Sequence, residues 1–309
     1  MSKQPKRVAL ILADYPSYEL YCPNFVGMQV GLKDLGIQFR LFSCRPSLKV
    51  EDVILYQPDL VVYGLKDAIY HKEWREKIRK SLPDAKIILW YGDLRDDKTG
   101  QDKADLSKDI DMMFVSNNAQ DEYYKNKWGI ECHFMPLGSG IFTPEFKREM
   151  SFPFIFIGAN TMVGWMADRA IKLLDLVKSH DLKIINAPAD KNPDLRAKIM
   201  KEMHNIYFSS KVSLDISHFT DIKGYTSNRY WIIPASGGFA LTKRFPQCEE
   251  FYPEGTRVYF DTIEEAIEKK DYYLSHDTER EKIRLAGYEH AKNHTYDKRW
   301  EKIFEYLYP

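Results

Sequence analysis

Short, continuous apolar runs separated by helical patterns constrain this chain more than any other feature. Val8 to Leu12, Gln38 to Ser43, Leu60 to Tyr63, Lys86 to Tyr91 and Met112 to Ser116 read as strands, while Asn24 to Leu35, stopped by Gly36, and Lys72 to Ser81 read as helices. Strands that are apolar on both faces and spaced by helices predict an α/β fold built on a parallel, doubly wound sheet. In such sheets ligands sit beyond the carboxyl ends of the strands. Those ends carry Asp14, Lys66, Asp93 and Asn117 here. Asp14 and Asp93 are the carboxylates best placed to accept a proton from, or simply hold, a hydroxyl-bearing acceptor. An aspartate at a strand end also serves as a helix cap or turn former, and that alternative stays open.

A chain of 309 residues is too long for one ordinary core and fits two domains of roughly 150 residues each. The stretch from Pro136 to Ser151 is rich in Gly, Pro and Ser and leads into a fresh strand, which sets the expected domains at 1–145 and 146–309. The second half repeats the alternation: strand Phe154 to Ile157, a helix around Met166 to Ser179, strand Lys183 to Asn186, helix Asp194 to His204 and strand Val212 to Ile216. After a helix from about Ser227 come strand Phe239 to Thr242, a short helix Gln247 to Tyr252, strand Val258 to Phe260, and helices Ile263 to Ser275 and Thr278 to Lys292. Ile303, Phe304 and Leu307 then recur at helical spacing after HTYDKRW, giving a last amphipathic helix.

Within that second half, YTSNRYWIIPASGGFALT carries the most chemistry. Thr226 or Ser227 can cap the helix, Asn228 and Arg229 occupy its first turn, and Gly237-Gly238 closes it before the strand. A helix N-terminus offers unpaired N–H groups and partial positive charge, and an arginine beside it adds a forked donor for phosphate oxygens. Pro234 removes one backbone donor and should kink the helix or shorten it. Gly158 lets the backbone approach a ligand after its strand, and Arg169 can reach back toward it or form a surface salt bridge instead. A capped helix ending in Gly-Gly also occurs in α/β proteins that bind no phosphate.

Composition excludes several classes. Lys plus Arg equals Asp plus Glu at 45 each, so no overall field draws the chain to nucleic acid or anionic membrane. The four cysteines, Cys22, Cys44, Cys132 and Cys248, form no CxxC pair; reduced thiols and a cytoplasmic setting follow as expectations. The apolar run after the basic N-terminus is too short for a signal peptide, and no segment approaches the roughly 20 apolar residues of a membrane span. The eight histidines include no HxH or HExxH arrangement, and His290 with His294 sits in a charged tail that reads as a solvated helix, so no metal site is expected. GxGxxG and GxxxxGK[ST] loops are also missing from the sequence.

The order of PLGS, FIFIGAN, SNRYWIIPASGGFALT, EEFYPEGTRVYFDTIEEAIEKKDYYL and GYEHAKNHTYDKRWEKIFEYL resembles a GT-B glycosyltransferase. More narrowly it is similar to the glycosyl-transferases-group-1-like family that includes the CgeB-type spore maturation proteins. The resemblance covers roughly Phe152 to Pro309 closely and the first half only in architecture. It implies two Rossmann-like doubly wound domains facing a cleft, the first binding an acceptor and the second a nucleotide-diphosphate sugar, with the final helix packing back on the first domain. A UDP-sugar ranks first and a GDP-sugar next; no cofactor or metal is required. By the same resemblance Tyr225, Ser227, Asn228, Arg229, Gly237, Gly238 and Lys243 would lie along the donor, Gly158 and Arg169 would flank its diphosphate, and Glu249 or Glu250 would close over it. One departure stands out: related enzymes carry a ribose-holding glutamate where this chain has Ile232.

The expected mechanism has the helix at Ser227 and the Arg229 guanidinium stabilising the leaving diphosphate, with Asp14 and Asp93 orienting the acceptor hydroxyl. Replacing Arg229 with alanine is expected to weaken catalysis and leave the fold intact. The acceptor can be a small molecule, a glycan or modified nucleic acid. A DNA-modifying transferase acting on hydroxylated bases would need a basic groove, for which Lys66, Lys72, Arg75 and Arg79 with Trp74 are the candidates. From another class, a non-catalytic two-domain nucleotide-sugar-binding protein fits the missing glutamate.

Overall fold

The computed structural model describes residues 4–12, 23–43, 49–64, 72–91, 109–118, 120–144, 148–158, 173, 176, 181–185 and 193–309. The chain divides into two compact units, Met1–Leu137 with Tyr296–Pro309, and Gly138–Thr295.

The first unit holds six parallel strands, β1 (Arg7–Leu12), β2 (Gln38–Ser43), β3 (Leu60–Gly64), β4 (Lys86–Tyr91), β5 (Met112–Val115) and β6 (Glu131–Phe134), in the order β2-β1-β3-β4-β5-β6. β1 and β3 are buried along nearly their whole length, which is why they read as unbroken apolar runs. The chain reverses its winding direction between β1 and β3, where Leu12 pairs with Gly64. The helices are α1 (Pro23–Asp34), α2 (Val50–Tyr56), α3 (Lys72–Ser81) and α4 (Asp121–Trp128), and a last helix, Tyr296–Leu307, completes the same core. Its Tyr296, Trp300, Ile303, Phe304 and Leu307 are buried with the strand residues. Trp300 Nε1 donates to Met28 O at 2.9 Å and Tyr296 Oη to Asn24 Oδ1 at 2.8 Å, fixing that helix on α1. The contact is close because Gly27 and Gly31 face it without side chains; a Cβ on Gly31 would stand 2.6 Å from the Tyr296 backbone carbon.

The second unit holds five parallel strands, β7 (Phe152–Ile157), β8 (Lys183–Ile185), β9 (Ser210–Asp215), β10 (Ala240–Lys243) and β11 (Val258–Phe260), in the order β11-β10-β9-β7-β8. Here the winding reverses between β7 and β9. Helices α5 (Pro193–Phe208), α6 (Asn228–Ala235), α7 (Cys248–Phe251), α8 (Ile263–Ser275) and α9 (Asp277–Ala291) follow, and the last helix of the chain is then α10. Of the helix expected around Met166 to Ser179, only Leu173 and Leu176 are among the described residues, both helical and buried.

Helix α6 ends as its glycines suggest: Gly238 N donates to Ile233 O and Gly237 N to Pro234 O, both at 2.9 Å, with Gly237 at φ 68°. This paired closure satisfies the last helical carbonyls and needs a left-handed residue at Gly237. Pro234 stays inside the helix, one residue before its end. His290 and His294 depart from the solvated-tail reading. Both are half-buried, each Nε2 lies 2.8 Å from Phe251 O, and both rings pack against Tyr252.

Candidate donor-binding site

The reversal point of the second sheet is where a ligand crevice is expected, beyond the carboxyl ends of β7 and β9. Arg229 reaches this point from the first turn of α6. Its Nη1 donates to Ile157 O at 3.2 Å, at the end of β7, and its Nη2 to Ile216 O at 3.0 Å, just past β9. Its Nε lies 3.5 Å from Asp215 Oδ1, and its guanidinium stacks 4.5 Å from the centre of the Phe156 ring. Gly158 makes room for it, since a Cβ there would meet Arg229 Nη1 at 2.6 Å. The glycine at the end of β7 thus admits a guanidinium, and the arginine ties two strand ends to one helix. With its side chain 12% exposed, Arg229 is mostly buried yet open to solvent at one edge. A guanidinium has five N–H donors, so the two carbonyl bonds and the Asp215 contact leave donors for a ligand.

Ser227 precedes the helix but does not cap it. Its Oγ donates to Asp215 Oδ1 at 3.0 Å, while its backbone N–H goes to Ser217 Oγ at 3.0 Å. Thr226 is occupied too, its Oγ1 accepting from Trp231 Nε1 at 2.9 Å. Ser227 therefore leaves α6 without a side-chain cap; Tyr230 N donates back to Ser227 O at 3.1 Å, and the Asn228 and Arg229 N–H groups of the first turn remain for an anion or solvent. Beneath the turn, Asp215 stands between Arg229 and the fully buried Arg257, whose Nη1 is 3.9 Å from Asp215 Oδ2. Two guanidinium groups against one carboxylate give the floor of this site positive charge in a low-dielectric setting.

The other expected site residues distribute as follows. Lys243 ends β10 at the same carboxyl edge, half-buried, its Nζ 3.9 Å from Asp261 Oδ1. Tyr225 lies in the approach to α6 with its ring 5.2 Å from Phe219. Glu249 and Glu250 stand on α7 after β10; Glu249 pairs with Arg244, and Glu250 accepts from Gln247 Nε2 at 2.8 Å. Gly237 and Gly238 stand at the opposite end of α6, packed against Phe208 and Tyr207 O. Asp14, Asp93 and Arg169 lie outside the described residues. Sequence reasoning missed Asp215 and Arg257. Asp215 was legible in principle, because it ends an apolar strand just as Asp14 follows one.

Deep burial shifts several groups near this site. Burial pushes the Tyr259 phenol up to about 12 and holds Tyr230 well above its ordinary value, so both stay protonated donors. On the far side of α6, burial pulls His204 down to about 4; its ring stacks on Phe142 and its Nδ1 lies 2.7 Å from Ser236 Oγ. Among the described residues no cluster of three or more His, Cys, Asp or Glu could hold a metal ion, and no helix is long and apolar enough to cross a membrane.

Comparison with known proteins places these features. Residues 152–305 match the family model described as glycosyl transferase-like. No curated protein matches the chain. Among solved structures, an α-glucosyltransferase in complex with UDP and a 13-mer DNA containing a HMU base aligns with a TM-score of 0.71 and 10% identity, over 97% of this chain and 98% of that one. A glycosyltransferase from Rickettsia africae aligns at 0.58 and 12% identity over 98% of both chains. Anabaena HepE in complex with UDP aligns at 0.58 and 11% identity over 97% of this chain and 99% of that one. At such identities the structural likeness shows the fold alone, the GT-B fold of two Rossmann-like domains. The match over residues 152–305 and the GT-B fold together make the chain a glycosyltransferase.

Proposed function

We propose that this glycosyltransferase moves a sugar from a nucleoside diphosphate donor, a UDP-sugar before a GDP-sugar, to a hydroxyl acceptor without a bound metal. The observation that carries the reading is the uncapped first turn of α6 above the Arg229–Asp215–Arg257 cluster. Its N–H groups and the underlying positive charge suit the two negative phosphates of the donor and the charge that grows on the leaving diphosphate. The helix terminus and guanidinium groups supply the compensation that a divalent cation gives elsewhere. Ser227, Asn228 and Arg229 are the proposed diphosphate contacts, with Gly158, Arg169, Lys243 and Tyr225 around them and Glu249 or Glu250 toward the sugar. Gly237 and Gly238 act through the closure of α6. Asp14 and Asp93 are proposed for the acceptor hydroxyl.

Binding of a ligand to the native state raises its melting temperature by mass action. A panel of UDP, GDP, ADP, CDP and dTDP with their common sugars should give a selective shift with UDP and its sugars. The proposal requires that turnover of the same UDP-sugar persist in excess EDTA. A flat panel, or activity abolished by EDTA and restored by a divalent ion, would contradict the donor or the metal-free part respectively.

A further inference from the structure

Helix α6 has a gap in its hydrogen-bond ladder that the sequence dictates. Pro234 has no N–H, so the carbonyl four residues earlier, Tyr230 O, is left without its helical partner. That carbonyl lies in the first turns of the helix, in a buried residue. Arg257 takes it: Nη2 donates to Tyr230 O at 2.6 Å while Nη1 reaches Thr242 Oγ1 at 3.2 Å. The guanidinium carbon lies in the corner of two near-perpendicular rings, 3.7 Å from the centre of Tyr230 and 4.2 Å from that of Tyr252. An apolar residue would fill such a place without any desolvation cost, so a fully buried cation here needs every one of these partners.

Tyr230 and Tyr259 extend the connection to α7. Tyr230 Oη donates to Cys248 O at 2.6 Å, and Tyr259 Oη lies 2.7 Å from Tyr252 O and 3.0 Å from Cys248 O. Cys248 begins α7 and Tyr252 caps its end. Arg257 therefore grips the phosphate-side turn of α6, and Tyr230 beside it, with Tyr259 next to Tyr230, grips both ends of the helix that carries Glu249 and Glu250.

We infer that Arg257 is a positioning residue of the transferase, one that sets the spacing between the first turn of α6 and α7, with Tyr259 as its link to α7. It touches no ligand. Its effect is to keep the α6 N–H groups and the Asp215–Arg229 pair aimed at the diphosphate while α7 stands at the distance a sugar requires. The inference rests on the donor-site reading given above.

Two variants test it, with UDP and UMP as probes in titration calorimetry and the melting temperature measured alongside. Arg257→Lys keeps the charge but cannot bridge Tyr230 O and Thr242 together, and Tyr259→Phe removes only the hydroxyl. UMP lacks the phosphate that a displaced turn would lose. The expected result is that in folded Arg257→Lys the advantage of UDP over UMP falls by about tenfold, the scale of one lost charge-assisted contact. Tyr259→Phe should leave UDP binding largely intact and raise the KM for the UDP-sugar with little change in kcat. Arg257→Lys with an unchanged UDP to UMP ratio and a lowered melting temperature would make the residue merely structural and overturn the inference. So would Tyr259→Phe with unchanged KM. Wild-type protein that binds neither UDP nor GDP would remove the donor-site reading itself, and the inference with it.

Discussion

Arg229 stands out in the sequence for its place beside a helix start, and the structure gives it a second duty. Its bonds to Ile157 O and Ile216 O bridge 72 and 13 residues of chain. Such long-range partners leave no trace in local pattern, nor does the need for Gly158 to lack a side chain. The expectation that alanine at Arg229 leaves the fold intact therefore changes. Arg229→Ala orphans two carbonyls and loses the Asp215 contact, which should cost about 2–3 kcal/mol of stability. It should also remove about 3 kcal/mol of transition-state stabilisation, a loss of roughly a hundredfold or more in kcat/KM. Urea melts and steady-state kinetics of a still-folded sample separate the two; full stability with lost activity would mean that the carbonyl bonds carry nothing.

His204 offers a pH test at the same scale. Burial holds its folded value near 4, below the ordinary 6.5, so the unfolded chain takes up the proton first. Its contribution is intact above about pH 6.5 and is lost as pH falls toward 4. Allowing for its partial exposure, the loss should be on the order of 2 kcal/mol. Denaturant melts at pH 7 and 4.5 should show a smaller difference for His204→Gln than for wild type; equal differences would contradict the buried neutral imidazole.

At the scale of elements, the strands buried on both faces were legible because nothing polar interrupts them. β6, Glu131–Phe134, was not: as the edge strand of its sheet it carries Glu131 exposed and His133 half-buried, and its pattern fades into that of a loop. Helices α2 and α4 escaped for a related reason, being short, with α4 largely polar along DEYYKNKW. The closure of α6 at Gly237-Gly238 was readable because it depends on local backbone geometry alone. The capping of α6 was not, since Ser227 finds Asp215 at the end of β9 instead of its own helix. The contact of α10 with α1 depends on missing side chains at Gly27 and Gly31. Gly31→Val should force the helices apart or distort them, at about 2 kcal/mol, and lower the melting temperature by several degrees. An unchanged melting temperature would mean that the two helices meet less closely.

At the scale of the whole molecule, the C-terminal helix belongs to the first unit although it follows the second in sequence. Tyr296, Trp300, Ile303, Phe304 and Leu307 contribute a continuous stripe to that unit's core. A chain ending at Thr295 should lose the protease resistance of the first sheet while the second unit stays protected. Equal protection of both units would contradict the shared core. The proposed acceptor contacts are the least legible in the sequence, because Asp14 and Asp93 follow apolar runs, where pattern specifies a place in the chain and not a contact.

The most direct test of the donor site is titration of UDP into wild-type protein and into Arg229→Lys, which keeps the charge but cannot fork between Ile157 O and Ile216 O. Wild type should bind UDP in preference to ADP and CDP, and the variant should bind it at least about tenfold more weakly. UDP binding of equal strength in both proteins, or none in wild type, would contradict a diphosphate site at the first turn of α6.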